Sequence, residues 1–225
     1  MRAAPSRGCY TALEMRTAYH EMLENARLDV VRLGALASDA LHSAVASLEE
    51  RDVDLAARVI AGDDEIDALR RQVESECIEL MWRQQPLAGE LRQVAAMLQI
   101  NVDLERIGDY AVDLSKNSVK LVDNPIRPAH IEIGRMGKEA RQMVVDAMRA
   151  FSERSIDLCD AVIARDDHVD LLYHRGIEKL QQEMQSDPGV VRAGTLLLFS
   201  LAVLERVGDR AQNIAWHTKE MVGPG

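Results

Sequence analysis

The sequence predicts an all-α protein built as two tandem, pseudo-symmetric three-helix bundles, six helices in all. Three observations predict it. The 225 residues hold only 13 Gly and 6 Pro, with 4% aromatics, too few for a sandwich or barrel built on aromatic and β-branched pairs. Ala, Leu, Glu, Arg, Met and Gln dominate instead, the side chains that lose least on entering a helix. Finally, the chain repeats itself. Leu104-Glu105-Arg106-Ile107-Gly108-Asp109 recurs as Leu204-Glu205-Arg206-Val207-Gly208-Asp209, five identities in six. Val59 to Leu69 recurs as Val162 to Leu172 with seven identities in eleven, so the two motifs recur at offsets of 100 and 103 in the same order. Such self-similarity marks a duplicated unit of roughly 100 residues.

The elements follow in order. Residues 1–14 (MRAAPSRGCYTALE) lack helical periodicity and an apolar signal-peptide core, and are expected to be a leader or disordered N-terminus. The first repeat is expected over 15–123, with helices at about 16–50, 53–84 and 87–121, broken at Gln85-Pro86. Asp123-Asn124-Pro125-Ile126-Arg127-Pro128 reads as the linker between halves. The second repeat, 128–222, is expected to carry helices at about 130–151, 154–186 and 190–221, broken at Asp187-Pro188-Gly189. The longest apolar run, Leu196 to Leu204, is less than half of the ~20 residues that span a bilayer, and is expected to be a buried helix segment. Met136, Met143 and Met148 are assigned to the core.

Charge and cysteine content bound the function. Twenty-seven basic and 37 acidic residues leave a net charge of −10, which argues against nucleic acid or anionic membrane as a partner. The three cysteines, Cys9, Cys77 and Cys159, form no C-x-x-C pair, so a reducing, cytoplasmic setting with no disulfide framework is expected. Phosphate-binding glycine loops and H-E-x-x-H are absent from the sequence. A di-iron oxidase would need Glu-x-x-His on inward helix faces, and none of the six histidines follows a Glu at that spacing.

The repeated motifs concentrate carboxylates. At 100° per residue, Glu105 and Asp109 share one helical face with Asp113 a turn further on, opposite the apolar stripe of Ile100, Leu104, Ile107 and Ala111. Glu205, Asp209 and Asn213 repeat this arrangement, and Asp63/Asp67 and Asp166/Asp170 form i, i+4 pairs on the helices before. Each pair lies roughly 20 residues from the helix break of its own half, so antiparallel helices bring two pairs level in each half. Like charges at this spacing repel, and a bound cation would neutralise them. The competing reading is that Arg70, Arg71, Arg106, Arg206 and Arg210 neutralise the same acids as surface ion pairs. All-oxygen donors suit iron(III), manganese, magnesium or calcium better than zinc.

Two tandem bundles, each with a D-x-x-[IV]-D helix, a proline break and an L-E-R-[IV]-G-D helix, resemble the PhoU family over about 15–222. The resemblance implies a non-catalytic, cytoplasmic negative regulator of phosphate uptake and of the phosphate-responsive two-component system, acting when phosphate is plentiful. It implies multinuclear metal clusters, iron ahead of zinc, manganese or magnesium. Their ligands by position would be Asp63, Asp67, Glu105 and Asp109, then Asp166, Asp170, Glu205 and Asp209. Asp113 stands where many relatives have Asn. The implied partners are a phosphate-sensor histidine kinase, the ATPase subunit of the phosphate ABC transporter and a second copy of the chain, with no nucleic acid and no membrane insertion. The alternative function is a metal-independent helical scaffold whose acidic stripes dock a basic partner.

Overall fold

A computed structural model describes residues 12–83, 87–123 and 132–223. Among them the helices are α1 (Ala12–Glu50), α2 (Val53–Arg83), α3 (Ala88–Leu121), α4 (Ile133–Glu153), α5 (Ile156–Ser186) and α6 (Val191–Val222), and no strand occurs. A short 3₁₀ turn, Pro188–Val190, precedes α6. The expected boundaries agree within about four residues. Helix α1 reaches back to Ala12, into the stretch set aside as a leader, whereas residues 1–11 lie outside the described residues. The Gln85-Pro86 break and all but Asp123 of the inter-repeat linker also lie outside them.

The two halves turn corners in the same way. After α1, Arg51 adopts a left-handed φ of 59° and the N–H of Asp52 donates to Ser47 O. Asp52 then caps α2, its Oδ1 accepting from Leu55 N at 2.8 Å. After α4, Arg154 takes φ 53° and Ser155 repeats the cap, its Oγ accepting from Leu158 N at 3.3 Å. At the break before α6, Asp187 Oδ1 accepts from Gly189 N at 2.8 Å, which holds Pro188 at the head of its turn.

Each half is an up-down bundle, and the halves do not stand apart. Helix α1 packs on α4, and α3 on α6, so one continuous apolar core runs through both. Asp103 on α3 meets Arg210 on α6 while Asn117 meets Ser200, so residue numbers run in opposite directions and these two helices are antiparallel. The core stripes read from the sequence are buried, including Ile100, Leu104, Ile107, Ala111, Leu204, Val207, Ala211 and Ile214. Met136, Met143, Met148, Cys77 and Cys159 are buried too. The apolar run of α6 is a partial correction. Leu197, Leu201 and Leu204 are buried, but Phe199 turns outward at 61% exposure because a helix apolar on every side cannot bury every side. Among the described residues no helix is long and apolar enough to cross a membrane.

The α1–α4 seam makes a prediction about two glycines. A Cβ on Gly137 would lie 2.7 Å from both γ-carbons of Val45, a buried and rotamer-restricted side chain, whereas a Cβ on Gly62 of α2 would meet nothing within 4 Å. Gly62→Ala should therefore raise stability by about 0.5–1 kcal/mol through helix propensity. Gly137→Ala should lower it by roughly 1 kcal/mol, because overpacking of about 1–3 kcal/mol exceeds the same gain. Denaturant midpoints of the two variants moving in the same direction would contradict this packing.

Candidate metal centres on the two helix hairpins

The hairpin α2–α3 is antiparallel, registered by Asn101, whose Nδ2 donates to Arg70 O at 3.0 Å. That register sets Asp63 opposite Asp109 and Asp67 opposite Glu105, and the charges of these acids act on one another across the seam. In α5–α6 the register is fixed by Gln212 Nε2, which donates to Asp166 Oδ2 at 2.7 Å. Asp166 then faces Asp209, and Asp170 faces Glu205. The structure thus brings each expected set of four acids level, in both halves.

The glycine of each L-E-R-[IV]-G-D motif explains how the helices come this close. A Cβ on Gly208 would stand 3.1 Å from Asp166 Oδ1, and one on Gly108 would stand 3.1 Å from Ile66 Cγ2 and 3.7 Å from Asp63 Oδ1. A Cβ at either position would be tight, and the facing side chain would have to give by a few tenths of an ångström. As a result the acids are not on fully outward stripes, as the sequence suggested. Asp63, Asp67, Glu105, Asp109, Asp166 and Glu205 are half-buried in the seams, while Asp170 and Asp209 are more exposed.

Partial burial with like-charged neighbours disfavours the ionised forms. Desolvation, followed by Asp170, Asp209 and Asp167, pushes Asp166 up to about 6. Asp63, Glu105, Glu205 and Asp209 move in the same direction, each chiefly through desolvation and next through a neighbouring carboxylate. A raised folded-state value means that Asp166 favours the fold fully below its unfolded value near 3.8 and loses that contribution as pH rises through about 6. Asp166→Asn should therefore raise the melting temperature of metal-free protein at pH 7.5 and change it little at pH 4. An equal effect at both values, measured by calorimetry in chelator, would contradict this electrostatic account.

The arginines divide unequally. Arg71 Nη1 pairs with Asp67 at 3.2 Å and Arg106 with Asp109 at 2.9 Å, with Arg106 Nε a further 3.7 Å from Glu105. Arg70 instead pairs with Glu74, and Arg210 turns away to Asp103. Asp113 is exposed, 3.9 Å from Lys116, and Asn213 bonds Asp103, so neither extends its acid cluster.

Asp103 is the residue that the reading of the motifs missed. It is 4% exposed, with Arg210 Nη1 3.2 Å from one oxygen and His217 Nε2 3.7 Å from the other. Arg210 also bonds Tyr110, so a polar network sits inside the α3–α6 seam. Burial raises the Asp103 carboxyl, and its bond to Arg210 opposes the rise. A signal was available. Asp103 lies three residues after Ile100 and four before Ile107, on the apolar stripe, and Arg210 lies likewise between Val207 and Ile214.

Both clusters offer only carboxylate oxygens, the donors that hard cations prefer, and the glycine clefts leave space beside Asp63 and Asp166. As the side chains stand, no group of three or more His, Cys, Asp or Glu among the described residues converges closely enough to hold an ion.

Comparison with known proteins follows the same two units. The model of the PhoU domain matches twice, at residues 30–118 and 133–217. The phosphate-specific transport system accessory protein PhoU homolog of Clostridium acetobutylicum is 34% identical over 204 residues, covering 90% of this chain and 93% of that protein. Its counterpart in Escherichia coli, named phosphate-specific transport system accessory protein PhoU, is 29% identical over 196 residues, covering 87% and 81%. The crystal structure of PhoU from Pseudomonas aeruginosa superposes with a TM-score of 0.87 at 31% identity, covering 91% of this chain and 98% of that one. With two matched domains, a shared fold and a duplicated acidic motif, the chain belongs to the PhoU family.

Proposed function

We propose that this protein is a cytoplasmic, non-catalytic accessory regulator of phosphate-specific transport that binds metal ions at both acidic clusters. In this reading it restrains phosphate uptake and the phosphate-responsive two-component system when phosphate is plentiful. The names of the relatives support the link to phosphate transport. The observation that carries the cation reading is the repeated register, in which a glycine-permitted close approach stacks four carboxylates level in each half. The eight donors would be Asp63, Asp67, Glu105, Asp109, Asp166, Asp170, Glu205 and Asp209, holding multinuclear clusters of iron, or of zinc, manganese or magnesium. When bound, such ions supply positive charge that cancels the mutual repulsion of these acids and ties paired helices together. The chain's own contribution is to hold the donors level and half-desolvated.

The protein acts in this reading by contact with helical partners: the cytoplasmic part of a phosphate-sensor histidine kinase, the transporter's ATPase subunit and a second copy of itself. Helical bundles engage such partners by receiving an amphipathic helix in a groove between helices. The test has two arms. Protein purified without chelator should contain stoichiometric metal, and it should retain the kinase fragment or the ATPase subunit in a pull-down. Failure to retain either overturns the regulatory assignment.

A second reading has one specific observation in its favour. Arg71 and Arg106 already neutralise much of the α2–α3 cluster, which suits a metal-independent scaffold whose acidic stripes dock a basic partner. Metal-free protein that binds its partners as tightly as metal-loaded protein would decide for the scaffold.

A further inference from the structure

We infer that the tip of the α2–α3 hairpin is a docking knob, in which Trp82, with Ile78, Met81, Leu87 and Leu91 around it, inserts into an apolar pocket on a partner protein. The inference rests on the reading above that this protein acts by contact with other proteins, and it assigns the surface that makes the contact.

Apolar side chains crowd this end of the first half. Trp82 is 84% exposed and Leu87 65%, and Ile78, Met81 and Leu91 are exposed as well. Ile78, Met81 and Trp82 stand at i, i+3 and i+4 near the end of α2, so they share one face. Leu87 and Leu91 take the i, i+4 spacing at the start of α3. Exposed apolar residues scattered singly are ordinary, but a group of them at one hairpin tip marks a contact surface.

The second half shows that the fold does not need them. At the repeat offset of 103, Ile78 and Trp82 become Gln181 and Gln185, and at the offset of 100 Leu87 becomes Asp187. Met184, the counterpart of Met81, is half-buried against α6, where Gly194 makes room for it: a Cβ there would stand 2.6 Å from the Met184 sulfur. The first half has the buried Val94 in place of Gly194, and Met81 stays exposed. A hairpin of the same duplicated unit therefore forms with glutamines at its tip. Holding an indole in water is unfavourable, and only the first half does so.

Area and charge select the occupant. The five side chains present on the order of 500 Å² to solvent, at the upper end of the largest apolar patch on a monomer. A stable dimer buries roughly 800 Å² on each partner, so the tip is too small to hold a second copy by itself. It suits a single aromatic anchor seated in a pocket, the arrangement in which one Trp carries much of the binding energy. Lipid is the poorer match. Helices that lie on membranes carry Lys and Arg on their polar face, whereas residues 74–82 hold Glu74, Glu76 and Glu79 with no Lys or Arg, in a chain of net charge −10. The occupant is thus a folded protein offering an indole-sized apolar pocket in a neutral or basic surround.

The experiment uses tryptophan emission. Trp216→Phe leaves Trp82 as the single tryptophan of the full chain. Four probes are applied separately: the transporter's ATPase subunit, the cytoplasmic part of the sensor kinase, phosphatidylglycerol vesicles, and rising concentration of the chain alone. Emission should move to the blue with at least one of the two proteins and stay unmoved with vesicles and with concentration. Trp82→Gln with Ile78→Gln, which installs the residues of the second tip, should weaken that binding by about thirtyfold or more in calorimetry. The melting temperature should not change, which separates lost contact from lost fold. A partner bound equally by the parent and the double variant, or bound with no change in emission, overturns the inference and leaves the proposed function standing. A blue shift with vesicles or with concentration alone also overturns it, by giving the tip to lipid or to a second copy. If the parent binds neither protein, both readings fall.

Discussion

Arg210→Ala should cost the protein about 3 kcal/mol at neutral pH, at the low end of what breaking a buried ion pair costs. The reason lies in what it leaves behind. Asp103 is almost wholly buried between α3 and α6 and would keep only Asn213 and His217 as partners. An ionised carboxyl in that position takes up a proton or brings in water, and either response weakens the seam. The loss should therefore depend on pH. Without Arg210 the folded-state value of Asp103 rises further above its unfolded value, so stability falls as pH rises and recovers in acid. Asp103→Leu combined with Arg210→Met should return stability to near that of the parent, since apolar residues of similar size often replace a buried pair without loss. A single Arg210→Ala variant as stable as the parent at pH 7.5 in denaturant titration would show that the pair is incidental.

Metal saturation should have the second large effect. A cation bound only by the folded state at a hundred times its dissociation constant adds about 2.7 kcal/mol for each cluster filled. For a chain of this size each kcal/mol moves the melting temperature by ~2–4 °C, so filling one cluster should raise it by roughly 5–10 °C. Asp166→Asn with Asp209→Asn should remove the part of that rise due to the second hairpin. The same variant should melt slightly higher than the parent in chelator, because it has lost a repulsion and no ligand. A melting temperature indifferent to added manganese would remove metal from the function proposed here.

Much of this molecule was legible in its sequence because the repeat supplies a second measurement of every feature. A single Glu-x-x-x-Asp is an ordinary helix surface. Two of them, each as far from a helix break as a second acidic pair, fix the register of two hairpins before any coordinate is known. The closeness of that register was harder to see, since it depends on Gly108 and Gly208 meeting Ile66, Asp63 and Asp166 across helices. The contact between the halves was harder still. Periodicity tells which face of a helix is buried but not against what, so α3 reads as an amphipathic helix of its own bundle. Asp103 was hidden by its neighbours Glu105 and Asp109, which carry the same chemistry on a wetter face. Only its place on the apolar stripe distinguishes it. The arginines misled in the same way. Arg70 and Arg71 are neighbours in the sequence, yet Arg70 turns to Glu74 while Arg71 turns to Asp67.

The α3–α6 seam also bears on how the chain can divide or recombine. Freshly duplicated halves are interchangeable, and either would pair with a copy of itself as readily as with the other. Here the repeat positions of Asp103 and Arg210 are Val203 and Tyr110, neither of which carries the complementary charge. Pairing two first halves would set Asp103 against Tyr110, and pairing two second halves would leave Arg210 facing Val203. Only the mixed pairing gives the buried carboxylate its guanidinium, so this one ion pair makes each half a dedicated mate of the other.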